Sequence, residues 1–183
     1  MSTVPGTPEL SRIVPLARIR DHWLTETVVA TAAERAALAQ RFGLIEVGKL
    51  EATVRLRRAR AGRYVEIEAG LAAAVVQSCV VTLDPVPAAI DDRFTLLLGP
   101  IGGAAAPDDA DAAGALIVDL DAPEPLDGDD VDIGELVAQQ LALALDPYPR
   151  SPEADATVAQ AAAAEPGPGE SPFAVLQKRG KPR

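Results

Sequence analysis

Apolar and polar residues alternate along this chain in runs of two periods, one of strands and one of helices. From Tyr64 to Ala69 the apolar Val65, Ile67 and Ala69 alternate with Glu66 and Glu68, the pattern of a strand with one wet face. From Leu71 to Val76 the polar positions vanish. The same strand is therefore expected to enter a region covered on both sides, with Gly70 as a bulge or bend at the change. Asp84-Pro85-Val86-Pro87 interrupts it, because proline has no ladder donor and biases the preceding residue away from helix. A return strand follows with Ile90, Phe94, Leu96 and Leu98 in one phase. This long hairpin is the expected centre of the fold.

The stretch before it has the same period. Leu50, Ala52, Val54 and Leu56 lie on one face of a strand over 45–58, and Lys49, Glu51, Thr53, Arg55 and Arg57 on the other. Leu10 to Leu16 reads as an edge strand, where Pro15 is tolerated, and LTETVVA after Trp23 as a further strand. Thr31-Ala-Ala-Glu34 has capping-box spacing and predicts a helix over 32–42, ended by Gly43, with Ala33, Ala37 and Leu38 on its apolar side. Asp132-Ile-Gly-Glu135 opens a second helix. Its stripe of Ile133, Leu136, Val137, Gln140, Leu141, Ala144 and Leu145 faces the sheet, and Asp146-Pro147 stops it. LIVDL (Leu116 to Leu120) reads as a short buried strand. The class is α+β: a mainly antiparallel sheet, with the option of curling into a partial barrel, two packed helices and flexible termini.

Composition sets the limits of this scheme. Residues 1–9 form a flexible lead-in, 10–150 a single domain with an acidic mobile loop near 99–115, 151–170 a linker in which VAQAAAA has the option of a transient helix, and 171–183 a short motif with a basic tail. With 3% aromatic residues, the core must be assembled from many small aliphatic contacts. No window is long and apolar enough to span a bilayer and the N-terminus lacks a signal pattern, so a soluble, cytoplasmic protein is expected. The single cysteine excludes an intramolecular disulfide.

The net charge of −10 is unevenly spread. Residues 1–83 carry 11 basic and 8 acidic side chains, 84–155 carry 2 and 17, and 156–183 carry 4 and 2. Bulk charge thus disfavours general nucleic-acid affinity, while a basic face can still act locally. Such a face would centre on Arg55, Arg57, Arg58, Arg60 and Arg63 at a hairpin tip. With no aromatic residues interleaved for base stacking, a solvated edge protected by cations is the stronger reading from these residues alone. The tail offers Phe173, Lys178 and Arg179 as further contact residues.

Catalytic chemistry is hard to assemble. No phosphate-binding glycine loop and no nucleophile elbow is present. Cys79 sits in an aliphatic strand, where a cysteine behaves as a small apolar residue, and His22 has no second histidine to support a metal or relay. The acidic run around Asp127, Asp129 and Asp130 lacks the spacing of a calcium loop. Most carboxylates fall in segments expected to be mobile, unlike the fixed setting that acid catalysis needs. A hydrolase would require Asp91 or Asp92 beside another acid in a deep pocket.

Three motifs in order, VVQSCVVTLDPVPAAIDDRF, VDIGELVAQQLALALDPYPR and SPFAVLQK, resemble the bacterial YceD family of large ribosomal RNA subunit accumulation proteins over roughly residues 8–177. The family-motif positions here are Cys79, Thr82, Asp132, Glu135 and Pro147. The resemblance implies a non-enzymatic ribosome-biogenesis factor supporting synthesis, processing or stability of 23S ribosomal RNA. Its partners would be ribosomal RNA or ribosome-assembly proteins, with no membrane, no small-molecule substrate, no cofactor and no catalytic residues to carry over. The alternative is a protein-binding adaptor whose acidic surface and C-terminal motif contact a basic ribosomal or assembly protein. Many members have C-x-x-C where this chain has Cys79 and Thr82, so a thiolate zinc clamp is not expected here.

Overall fold

The structure, a computed structural model, describes residues 8–101, 123–126 and 128–164. Strand β1 (Ile13–Pro15) leads through a single 3-10 turn at Leu16–Arg18 to β2 (Leu24–Val29) and helix α1 (Ala32–Phe42). The strands β3 (Glu46–Ala59), β4 (Tyr64–Ser78) and β5 (Pro85–Leu98) follow, and then β6 (Asp130–Asp132), α2 (Ile133–Ala144) and α3 (Ala154–Ala164). One four-stranded antiparallel sheet has the order β2-β3-β4-β5, and β1 pairs with β6 in a two-stranded sheet. The main sheet stays open, with β2 and β5 at its edges, so it does not close into a barrel.

The chain divides into two compact units, Met1–Gln77 with Pro87–Pro147, and Ser78–Val86 with Tyr148–Arg183. In the first unit the inner face of the sheet is the alternating set read from the sequence. Leu50, Ala52, Val54 and Leu56 on β3, and Val65, Ile67, Ala69, Leu71, Ala73 and Val75 on β4, are all buried in one cluster with residues of α1 and α2. Burial alternates along β4 past Leu71, and Ala74 is exposed, so this stretch is not covered on both sides as its composition implied. Gly70 lies in regular register opposite Thr53, and the irregularity falls instead on β3, between Val47 and Lys49. The extra residue there is Gly48, which lets both Val47 and Leu50 turn inward.

Helix α1 begins with a complete capping box: Glu34 N donates to Thr31 Oγ1 and Thr31 N donates to the Glu34 carboxylate. It ends at Gly43 in the left-handed conformation, φ 66°. Leu38 and Ala39 are its buried residues while Ala33 stays exposed, because the helix meets β3 through its second half. Arg35 fastens that contact by donating to the carbonyls of Val47 and Ala30.

Asp132 joins the N-terminal segment to α2. Its Oδ1 caps the helix by accepting from the backbone N–H of Gly134 and Glu135, and it also accepts from Arg12 N at 2.7 Å. Oδ2 accepts from Ser11 Oγ at 2.6 Å, and Ile133 N donates back to the Arg12 carbonyl. The approach is so close that a Cβ on Gly134 would lie 2.8 Å from Arg12 N and 2.9 Å from Leu10 O. On the far side of α2, Gln140 Nε2 donates to Asp92 Oδ2 at 2.7 Å, so this carboxylate on the inner phase of β5 is hydrogen-bonded.

The second unit holds a helix where the sequence offered a transient one. Residues 154–164, expected to belong to a linker, form α3. Its A-D-A-T-V-A-Q-A-A-A-A composition has high helix propensity, and the Pro and Gly residues that marked the segment as a linker all flank it. LIVDL and the acidic loop beyond Ile101 lie outside the described residues.

Gly134→Ala should lower stability by about 1–3 kcal/mol, because the added methyl meets backbone that cannot turn aside. Urea unfolding should show a lower midpoint with an unchanged m-value. An unshifted midpoint would mean that α2 is free to move away from the N-terminal segment.

Candidate nucleic-acid interface

The β3–β4 hairpin end collects the arginines singled out in the sequence. Arg60 (φ 49°), Ala61 (φ 57°) and Gly62 (φ 81°) make a left-handed tip that returns the chain so that Ala59 pairs with Tyr64, Arg57 with Glu66 and Arg55 with Glu68. Two of those pairs are ionic: Arg55 Nη1 lies 3.0 Å from Glu68 Oε2, and Arg57 Nη2 lies 2.7 Å from Glu66 Oε2. Gly99 packs under the tip. A Cβ there would lie 2.9 Å from Tyr64 Cδ1, and the residue takes φ 138°, both of which require glycine.

An aromatic residue lies among these cations, contrary to the sequence reading. Pairing of Leu24 with Leu56 brings Trp23 against the outer face of β3, where the guanidinium carbons of Arg55 and Arg57 each lie 4.5 Å from its ring centroid. The Arg60 guanidinium lies 5.0 Å from the Tyr64 ring. Trp23 is half-buried, whereas Tyr64 is buried. Only strand pairing reveals the association of Trp23 with Arg55, since the two are remote in sequence. Arg20 and His22 are exposed on the same approach to β2.

The five hairpin arginines are not equivalent. Arg58 points inward and donates to the carbonyls of Ile19, Gly62 and Leu16 at 3.2, 3.1 and 2.9 Å. It clamps the segment before β2 to the hairpin rather than offering its donors outward. Arg55 and Arg57 face out but are paired with carboxylates. Exposed pairs of that kind are worth about 0–1 kcal/mol, so a phosphate can compete for either guanidinium at small cost. Arg63 is exposed beside the tip, and its carbonyl accepts from Ile101 N.

The other candidate residues do not join this cluster. Asp132 caps α2. Glu135 bonds Arg41, which holds its carboxyl below the usual range against the cost of burial. Pro147 follows the end of α2. Phe173, Lys178 and Arg179 lie outside the described residues. Asp91 and Asp92, as successive strand residues, face opposite ways. Asp91 shares a shallow trough of about 330 Å³ with Glu51 and Arg93, and both carboxylates there are exposed, unlike a desolvated acid pair.

Cys79 is buried, as its aliphatic setting predicted, but its surroundings are polar. Its sulfur accepts from the N–H groups of Val81, Thr82 and Ser151 at 3.4, 3.4 and 3.3 Å, and the Thr82 and Ser151 hydroxyls lie 3.1 Å apart. Burial raises the thiol pKa, but the Thr82 side chain and these N–H donors outweigh it and bring the value down to about 6. The neighbouring side chains are hydroxyls rather than thiolate, imidazole or carboxylate, and do not fit a zinc clamp.

A family model described as large ribosomal RNA subunit accumulation protein YceD matches residues 67–182. The chain belongs to the YceD family. The match takes in most of β4 and all of β5, α2 and α3, and begins after the hairpin tip, so Trp23 and the five arginines precede the matched span. Searches among curated proteins and among solved structures gave no match for this YceD chain. No helix among the described residues is long and apolar enough to cross a membrane.

The Cys79 environment carries a pH dependence of definite sign. A thiol lowered from 9.0 unfolded to about 6 folded contributes stability that is complete above about 9 and lost as pH falls through about 6. Wild-type urea midpoints should therefore gain on those of Cys79→Ala as pH rises from 6 to 9. Parallel profiles would mean that the sulfur stays protonated.

Proposed function

We propose that this YceD-family chain is a non-enzymatic ribosome-biogenesis factor that supports synthesis, processing or stability of 23S ribosomal RNA. We propose further that it touches RNA directly through the β3–β4 hairpin end. The family name supplies the link to large-subunit ribosomal RNA. The observation that supports direct contact is Trp23 beside Arg55 and Arg57, an aromatic platform among cations of the kind that stacks bases and holds backbone phosphates. Arg20, whose carbonyl accepts from Arg58 N, and Arg60, over the Tyr64 ring at the tip, are exposed and outside the ion pairs found among the described residues.

One observation favours a second reading, in which the chain is an adaptor for a basic ribosomal or assembly protein. Glu66, Glu68 and three backbone carbonyls already engage Arg55, Arg57 and Arg58. The chain between residues 84 and 155 carries 17 acidic side chains against 2 basic ones.

Arg20→Glu combined with Arg60→Glu leaves the ion pairs intact. It should weaken binding to 23S ribosomal RNA fragments about tenfold near 0.1 M salt and flatten the salt slope by about 1–2. Unchanged affinity and slope would remove the hairpin from the proposal, and cellular crosslinks to proteins alone would favour the adaptor. Undiminished 23S ribosomal RNA after gene deletion would overturn both.

A further inference from the structure

We infer that the apolar motif of Phe173, Val175 and Leu176 returns within its own chain to cover α3 and the turn that carries Val80 and Leu83. The surface it would cover exposes large apolar side chains. Val80 is 50% exposed, Leu83 76%, Tyr148 73% and Val158 on α3 44%. Grouped exposure of large apolar side chains marks a contact site more often than scattered exposure does. Two hydrogen bonds tie the turn to the segment before α3: Val80 N donates to Pro149 O at 2.9 Å, and Ser151 N donates to Cys79 Sγ at 3.3 Å. The turn is therefore held against the segment that enters α3.

Two features call for a cover. Leu83 is held at φ 65°, a left-handed conformation unusual for a bulky residue and commonly retained where a contact uses it. Helix α3 has 11 residues, fewer than the ~12–15 that an isolated alanine-rich helix needs in water. Yet residues 156–161 are exposed and Ala154 is its buried residue.

The occupant follows from where the chain goes next. After Ala164 the sequence runs E-P-G-P-G-E-S-P before Phe173. The nine Cα–Cα steps from Ala164 to Phe173 can span up to about 30 Å, while α3 is only about 16 Å long at 1.5 Å per residue. Phe173 can thus return to the start of the helix with length to spare. Charge agrees: Lys178 and Arg179 follow the motif, and Asp84 and Glu153 are exposed around the turn and the helix entry. Attachment to the same chain gives the motif an effective concentration on the order of millimolar, which favours it over a second copy.

Hydrogen exchange on the full-length chain tests this, comparing wild type with Phe173→Asp/Leu176→Asp and separately with Leu83→Asp. Amides of residues 158–164 should be protected in wild type and lose protection about tenfold or more in each variant, independently of protein concentration, while β3 and β4 keep theirs as a control on folding. Unprotected α3 amides in wild type, or protection surviving both variants, would overturn the inference. Protection that rises with protein concentration would also overturn it, in favour of a second copy.

Discussion

The pairing of β3 with β4 is the constraint on which most of the molecule depends. Side chains alternate with a period of two, so a slip of one residue would send every inward side chain outward. Val54, Leu56, Val65 and Ile67 would then meet water, while Arg55, Arg57, Glu66 and Glu68 would be driven into the core. The ion pairs Arg55–Glu68 and Arg57–Glu66 contribute little net energy at the surface. Their value is discrimination, because a shifted register places like charges or charge against apolar surface across the strands. The same register gives Trp23 its neighbours, through Leu24 opposite Leu56. Core and candidate interface are opposite faces of one arrangement.

Much of this was legible because short-range patterns encode it. The alternation in β3 and β4, the capping box at Thr31 and Glu34 and the aspartate cap of α2 each depend on residues within a few positions. What could not be read depends on partners remote in sequence. Gly70 was read as the bulge or bend, and only pairing shows that the irregularity is at Gly48. Trp23 reaches Arg55 across a strand pair. Cys79 looked apolar because its chain neighbours are, whereas the Ser151 N–H reaches its sulfur across 72 positions. At α3 the helix-forming alanines were themselves legible, and the proline and glycine on the flanks marked the limits of the helix.

Arginine in this protein serves three ends that its charge alone does not separate. Arg58 and Arg35 spend their donors on backbone carbonyls and hold loops and helix to the sheet. Arg12 and Arg41 join segments through carboxylates; the Arg12 hydrogen bond brings the Glu34 pKa down to about 2. Arg20 and Arg60 remain exposed at the hairpin end. A sum of positive charges over residues 1–83 therefore overstates what is available to an anionic partner, and the placement of each donor is the better guide.

The bond between Ser11 and Asp132 joins residues 121 positions apart, which gives the two ends of the first unit different histories during synthesis. The four strands of the main sheet all lie between Leu24 and Leu98 and can pair as soon as they have emerged. Leu10, Val14 and Leu16, though made earlier, find their cover only when β6 and α2 arrive, a wait on the order of ten seconds at ordinary elongation rates. In that interval the segment around Leu10, Val14 and Leu16 presents apolar side chains that the finished protein hides. A segment synthesised before the main sheet is thus among the last to be secured.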